Sequence, residues 1–310
     1  MTAVIFPGQG SQFLGMAKDF NDNFDIARSI FTEIEDSCSL NVRDIIFNDS
    51  NNLLNQTNYT QISIFAASLA MYKTFESEFL DDKIKIDYML GHSLGEYSAL
   101  AASGSLDFRN AIKLLNQRGK AMQTAVPKDT GGMIAVLGVD IDEINNLLEE
   151  NQNNYKCYIA NDNSNGQTVL SGLNTDVDKL VISLKEKKIK NIKLPVSAPF
   201  HCKLMNKATS IMIDKINNSN FAKPKNVIIS NVTGSGTQEI KEIKDLLIKQ
   251  IESPVRWRES VVYMIKNGVT NFIEIGPGKV LSGLVKRIDK TVKVNSINKL
   301  EDLKDIELND

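Results

Sequence analysis

Residues 91–95 read Gly-His-Ser-Leu-Gly, a G-x-S-x-G pentapeptide between a short apolar run and a stretch of small helix-forming residues. Asp87–Leu90 can form a short buried strand and Leu94–Ala102 a helix. Strand, sharp turn and helix together form a nucleophile elbow, which lifts a serine Oγ clear of the sheet edge. The flanking glycines let the strained turn form and let backbone pass close by. Ser93 is therefore the candidate nucleophile. A serine hydroxyl needs a general base near neutral pH, and histidine is the usual one. The chain has two histidines. His92 adjoins the serine, and neighbouring side chains on a strand-to-helix turn point apart. That leaves His201, in Ser197-Ala198-Pro199-Phe200-His201-Cys202, as the candidate base. Cys202 carries no mark of an activated thiol and reads as a small buried filler.

A hydrolase triad places an Asp or Glu between serine and histidine in chain order. Asp140, Asp176 and Asp178 all fall in what reads as a separate small unit, a poor location for that role. A main-chain carbonyl can equally hold the imidazole tautomer, and spacing alone does not select one. An oxyanion hole needs two backbone N–H donors aimed at the developing charge. The Leu94 amide supplies one, and the loop Gly8-Gln9-Gly10-Ser11-Gln12 can supply the other. That loop lacks the Lys-Ser/Thr of a P-loop and the third glycine of a dinucleotide fingerprint.

The elements that must position these residues follow from pattern. Ala3–Phe6 reads as a first strand, and helical periodicity runs through Phe24–Cys38 and Tyr59–Phe79. Asp107 caps a helix that closes before Pro127. Met133–Val139, Lys156–Ala160, Thr168–Ser171 and Ile189–Leu194 read as strands, with a polar Asn/Gly loop joining the middle two. Asp140–Glu150 and Thr175–Lys187 read as helices. The order β-α-β-β-α-β is the ferredoxin-like unit. Pro127 and Pro195 mark its ends, so residues 127–196 read as a small subdomain inserted into a larger one formed by 1–126 and 197–310. The larger part resumes with a helix near His201–Ile216 and a strand at Val227–Ser230. Helices at Ile240–Glu252 and Trp257–Asn267, a strand at Asn271–Ile275 and a helix at Lys279–Ile288 complete it. Alternating strands and helices imply an α/β fold with a largely parallel sheet.

A chain of 310 residues with 42% hydrophobic content can bury a large core. Its net charge of −2 offers no global attraction to nucleic acid or to a membrane surface. Three cysteines without C-x-x-C spacing suggest a reducing compartment, and the two histidines sit in no metal-binding pattern. No segment approaches the roughly 20 apolar residues of a spanning helix, and the first residues carry no secretion signal. A soluble cytoplasmic protein without a metal is expected. The acidic stretch from Lys299 to Asp310 suggests no function.

Five motifs in matching order, from about residue 3 to residue 290, resemble the malonyl-CoA:acyl carrier protein transacylases. They are Phe6-Pro7-Gly8-Gln9-Gly10-Ser11-Gln12, Gly91-His92-Ser93-Leu94-Gly95-Glu96, Gln117-Arg118-Gly119, Ala198-Pro199-Phe200-His201 and Glu274-Ile275-Gly276-Pro277-Gly278. The same set resembles the acyltransferase domains of fatty acid and polyketide synthases. The resemblance implies a hydrolase-like large subdomain with an inserted ferredoxin-like one. It makes Ser93 the acylated nucleophile and His201 its base, with Gln12 and Leu94 giving the oxyanion amides. It also implies that Arg118 holds the malonyl carboxylate and that the main-chain carbonyl of Gln250 orients the histidine. Phe200 would border a pocket for an unbranched malonyl group.

A planar guanidinium suits that carboxylate, because it offers two parallel charge-assisted hydrogen bonds that lysine cannot reproduce. The resemblance implies acyl carrier protein and malonyl-CoA as partners, malonyl-CoA as a substrate, and no cofactor. A monomer is expected. Two basic stretches could meet an acidic carrier: Lys185, Lys187, Lys188, Lys190 and Lys193, or Lys279, Lys286 and Arg287. A serine esterase or thioesterase would share the elbow and histidine without needing Arg118. A polyketide acyltransferase would share the chemistry with another carrier. A non-catalytic carrier-binding module would not need the Ser/His/Arg set.

Overall fold

The computed structural model describes residues 1–80 and 84–304. Its larger sheet has six strands: β1 (Thr2–Phe6), β2 (Ile86–Gly91), β7 (Val227–Ile229), β8 (Gly236–Thr237), β9 (Asn271–Ile275) and β10 (Lys293–Ile297). The order is β10-β9-β1-β2-β7-β8, parallel throughout except for β8 against β7. The apolar run of β1 lies in the middle with every residue buried, as a strand covered on both faces requires. Alternation sorts its side chains. Val4 and Phe6 join the core beneath α2 (Asp25–Cys38), α4 (Thr57–Glu78), α5 (Gly95–Ala102) and α6 (Phe108–Gln123), with the short helices α1 (Lys18–Asn23) before α2 and α3 (Val42–Phe47) after it. Ala3 and Ile5 meet the opposite core, built on Trp257, Val261, Leu281 and Leu284. Helix α4 is buried on nearly all sides, which matches its lack of a polar face.

The second sheet holds four antiparallel strands in the order β4-β5-β3-β6. They are β3 (Gly131–Leu137), β4 (Cys157–Ser164), β5 (Gln167–Leu173) and β6 (Lys190–Lys193). With α7 (Ile141–Glu150) and α8 (Asn174–Glu186) they give the β-α-β-β-α-β order of a ferredoxin-like unit over its own small core. The large part closes with α9 (Asn206–Asn217), α10 (Ile240–Gln250), α11 (Trp257–Lys266) and α12 (Val280–Ile288).

Three differences from the sequence reading bear on the site. Strand β4 does not stop at Ala160 but continues through Asn161, Asp162, Asn163 and Ser164, leaving only Asn165 and Gly166 as the turn. These polar residues stay extended because β4 pairs with β5 through Asn161, Asp162 and Ser164 and is also stitched to the large part. Asp162 N–H donates to Val255 O at 2.9 Å, and the Asp162 carboxylate pairs with Arg258 at 2.8 Å. The helix expected from His201 begins only at Asn206, after a short 3-10 turn at Lys203–Met205. Helices α1 and α3 and strands β8 and β10 were not marked by periodicity, since each is six residues or fewer. Among the described residues no helix is long and apolar enough to cross a membrane. The last six residues of the acidic stretch, 305–310, lie outside those described.

Candidate active site

The carboxyl ends of the parallel strands gather the site, where α/β sheets commonly bind ligands. The chain leaves β2 at Gly91 and turns into α5 within three residues. Ser93 takes the turn with φ 54°, a left-handed conformation that costs a non-glycine residue about 1–3 kcal/mol. Asn231, just beyond β7, holds it there. Its Oδ1 accepts the Ser93 N–H at 2.7 Å, and its Nδ2 donates to Gly91 O at 2.7 Å. The flanking glycines are required for space and not for φ. A Cβ on Gly91 would lie 1.8 Å from the Gly95 carbonyl carbon, and one on Gly95 would lie 2.4 Å from Phe6 O.

Ser93 Oγ lies 2.7 Å from His201 Nε2. On the other side of the ring, Nδ1 lies 2.9 Å from Gln250 O. That carbonyl is available because Gln250 is the last residue of α10, where helix carbonyls lack intrahelical partners. The bond fixes the proton on Nδ1 and leaves Nε2 as an acceptor toward the serine. His201 is only 4% exposed, and burial, reinforced by the Arg118 charge, pushes its pKa down to about 3. The imidazole is therefore neutral and able to take a proton at physiological pH.

Arg118, from the middle of α6, is fully buried. Its guanidinium donates to Ser93 Oγ at 3.1 Å, to Gln61 Oε1 at 2.9 Å and to Gln250 Oε1 at 2.9 Å. Its Nε has no partner, and no carboxylate among the described residues lies within ion-pair distance. Glu96 is joined to it by hydrogen bonds through Gln250, and its charge also acts on the guanidinium across that gap. Gln250 Nε2 donates to Glu96 Oε2 at 2.8 Å and to Ser93 O at 3.0 Å. Burial raises the Glu96 carboxyl to about 7.

A cavity of about 260 Å³ opens over these groups. Leu94, Phe200 and Met122 border it from the large part, while Met133, Asn161, Asn163 and Val169 border it from the small sheet. His92 turns away from the serine pair toward the small sheet. Its Nε2 lies 3.0 Å from Asn163 Oδ1 and 3.2 Å from Asn161 Nδ2, with the ring against Trp257. Those asparagines were missed because a polar strand end reads as a loop. Cys202 is buried, with Sγ donating to Pro199 O at 3.2 Å and its thiol pushed up by burial.

Of the expected residues, Ser93, His201, Arg118 and Gln250 converge, and Leu94 and Phe200 border the cavity. Gln12 does not. The cavity wall runs over Pro7–Ser11, while the Gln12 side chain turns out to Asn55, donating at 2.9 Å. Gln9 lines the cavity in its place. The N–H groups of Leu94 and Gln9 have no acceptor among the described residues.

Because both imidazoles are depressed by burial, neither should show a titration midpoint at the ordinary value of 6.5. With two histidines the Cε1–H signals are readily separated by NMR, and a midpoint near 6.5 for His201 would contradict the site as described. The sign for stability follows. The unfolded imidazoles gain protons below 6.5 while the folded ones do not, so this contribution is present above 6.5 and is lost as pH falls toward 3.

A family model described as an acyl transferase domain matches residues 3–304. The chain is 38% identical over 311 residues to the malonyl CoA-acyl carrier protein transacylase of Staphylococcus aureus (strain MRSA252), covering 100% of this chain and 99% of that one. The crystal structure of malonyl CoA-acyl carrier protein transacylase from Clostridium perfringens superposes with a TM-score of 0.93 at 38% identity, covering 98% of this chain and 95% of that one. A malonyl-transacylase solved in complex with a type II polyketide acyl-carrier protein superposes with a TM-score of 0.93 at 35% identity, covering 98% and 97%.

Proposed function

The chain belongs to the acyl transferase family, and on that premise we propose that it transfers malonyl groups from malonyl-CoA to the phosphopantetheine thiol of acyl carrier protein, for fatty acid synthesis. The observation that carries the reading is Arg118, a buried cation without a carboxylate partner among the described residues, 3.1 Å from the candidate nucleophile. An uncompensated buried charge is costly, and a substrate carboxylate supplies what is missing. An esterase for neutral acyl groups has no use for it.

In this mechanism Ser93 Oγ gives its proton to His201 Nε2 and attacks the thioester carbon. The N–H groups of Leu94 and Gln9 receive the charge that develops on the carbonyl oxygen. The tetrahedral adduct collapses by breaking the C–S bond, and His201 returns the proton to the departing coenzyme A thiolate. The carrier thiol then attacks the malonyl-serine ester with the same histidine as base, and the serine is released. The Gln250 carbonyl keeps the imidazole in the required tautomer through both halves. Arg118 holds the malonyl carboxylate throughout, and Phe200 limits room for a branch on the acyl chain.

The small subdomain, taken as residues 127–196, forms the opposite wall. Helix α12 supplies Val280, Leu281 and Leu284 to the cavity and also carries Lys286 and Arg287, with Lys279 at its start. Carrier protein, an acidic partner, docks at this cationic end. Lys279 lies 3.4 Å from Asp302, as Lys187 and Lys193 face Glu150 and Asp178 in the other basic stretch, so the choice rests on the place of α12 at the cavity. The enzyme acts as a monomer in the cytoplasm, without a cofactor. Labelled malonyl-CoA should load phosphopantetheinylated carrier and leave the unmodified carrier unlabelled. Release of free malonate in place of loading would favour the thioesterase reading instead.

A further inference from the structure

The two acceptors that hold Arg118 are both glutamine side chains, carried by different helices. Gln61 comes from the buried face of α4 and Gln250 from the last residue of α10. Each presents a neutral amide oxygen at 2.9 Å, and each is at most 2% exposed. A carboxylate in either place would hold the guanidinium more strongly, adding charge–charge attraction and bidentate geometry to a bond that the cation already assists. It would also neutralise it. Gln250 goes further, because its amide lies between Arg118 and Glu96. Its oxygen accepts from the cation while its nitrogen donates to the acid at 2.8 Å.

Resting on the malonyl-transfer reading, we infer that the side chains of Gln61 and Gln250 are specificity-determining positioning residues: they fix the Arg118 guanidinium beside Ser93 with neutral acceptors, so that its charge is left for the substrate carboxylate. Gln250 then has two separable roles. Its main-chain carbonyl orients His201 and survives any substitution, whereas its side-chain oxygen acts on Arg118 and its side-chain nitrogen on Glu96 and the Ser93 carbonyl. The two amides also spare Glu96 a direct pair with Arg118 that would close the carboxylate site. Selectivity in this site thus depends on what surrounds the arginine as well as on the arginine.

The test replaces each glutamine with glutamate, equal in size and opposite in consequence. Gln61→Glu and Gln250→Glu are each expected to raise the KM for malonyl-CoA by about tenfold or more relative to that for acetyl-CoA, through competition between the new carboxylate and the substrate's. Gln61→Met and Gln250→Met keep the volume and remove the acceptor without adding charge. They should shift the malonyl-to-acetyl KM ratio in the same direction but less. Thermal melts identify the folded variants, and the methionine pair carries the test if a glutamate prevents folding. A proportionate loss for both acyl donors, or methionine variants as unselective as the glutamate ones, would overturn the inference. A wild-type protein with no preference for malonyl over acetyl would instead overturn the functional reading on which it rests.

Discussion

Ser93→Ala is expected to lower malonyl transfer to carrier protein by about 10³-fold or more, while the fold is kept. Ser93 Oγ is the atom on which the site converges, 2.7 Å from His201 Nε2 and 3.1 Å from the Arg118 guanidinium. Alanine removes the attacking atom and nothing that builds the turn. The backbone N–H still donates to Asn231, and Asn231 still holds Gly91. No alternative nucleophile takes over, because Cys202 lies on the far side of His201 in the chain with its thiol raised by burial and bonded to Pro199 O. The check is the transfer rate with saturating carrier, read beside circular dichroism and a melting curve. A folded variant that retained a tenth of the wild-type rate would show that the serine is not the acyl carrier.

Arg118→Ala should separate charged from neutral acyl groups. The wild-type guanidinium contributes charge-assisted bonds to a substrate carboxylate, and truncating one side of such a buried pair commonly costs about 2–5 kcal/mol. Malonyl-CoA is therefore expected to lose about 10²-fold or more in kcat/KM. Acetyl-CoA has no carboxylate to lose and should fall much less. Some loss is shared, because the variant also leaves Gln61 and Gln250 without the donor each now accepts from. The ratio of the two substrates removes that common part. Equal losses would mean that Arg118 supports the site's structure and does not read the acyl group.

How far the sequence foretold this site depends on the distance over which each interaction acts. The elbow was legible because strand, turn and helix are contiguous. His201 was legible because only two histidines exist and one adjoins the serine. The third group of the triad could not be read from spacing, since it is a helix-terminal carbonyl 49 residues beyond the histidine. The loop Gly8–Gln12 was legible as the source of the second amide and the resemblance named Gln12, but a Gly-rich turn hides which residue faces inward. The folded loop lines the cavity with Gln9 and sends the Gln12 side chain out to Asn55.

Other parts had no local signal. Asn231 reaches the elbow across 138 residues, and Gln250 reaches Glu96 across 154, so no window of sequence contains either pair. Asn161 and Asn163 were read as loop because their polarity outweighs strand propensity. Their extended conformation comes from the continued pairing of β4 with β5 and from the bridge of Asn161 to Val255 in the large part, which are tertiary causes. The alternation of the ferredoxin-like unit was clear because β3, β4 and β5 each rest one face on a core of its own.

The account stands or falls on a malonyl group carried as an ester on Ser93 and protected from water until a thiol arrives. Intact-mass measurement after mixing the protein with malonyl-CoA, methylmalonyl-CoA or acetyl-CoA, without carrier protein, tests this most directly. The prediction is one malonyl adduct per chain, mapped by peptide digestion to the segment containing Ser93, absent from Ser93→Ala and discharged on adding phosphopantetheinylated carrier. Methylmalonyl and acetyl adducts should form less completely. An unmodified protein, or a malonyl adduct that persists on Ser93→Ala, would contradict it.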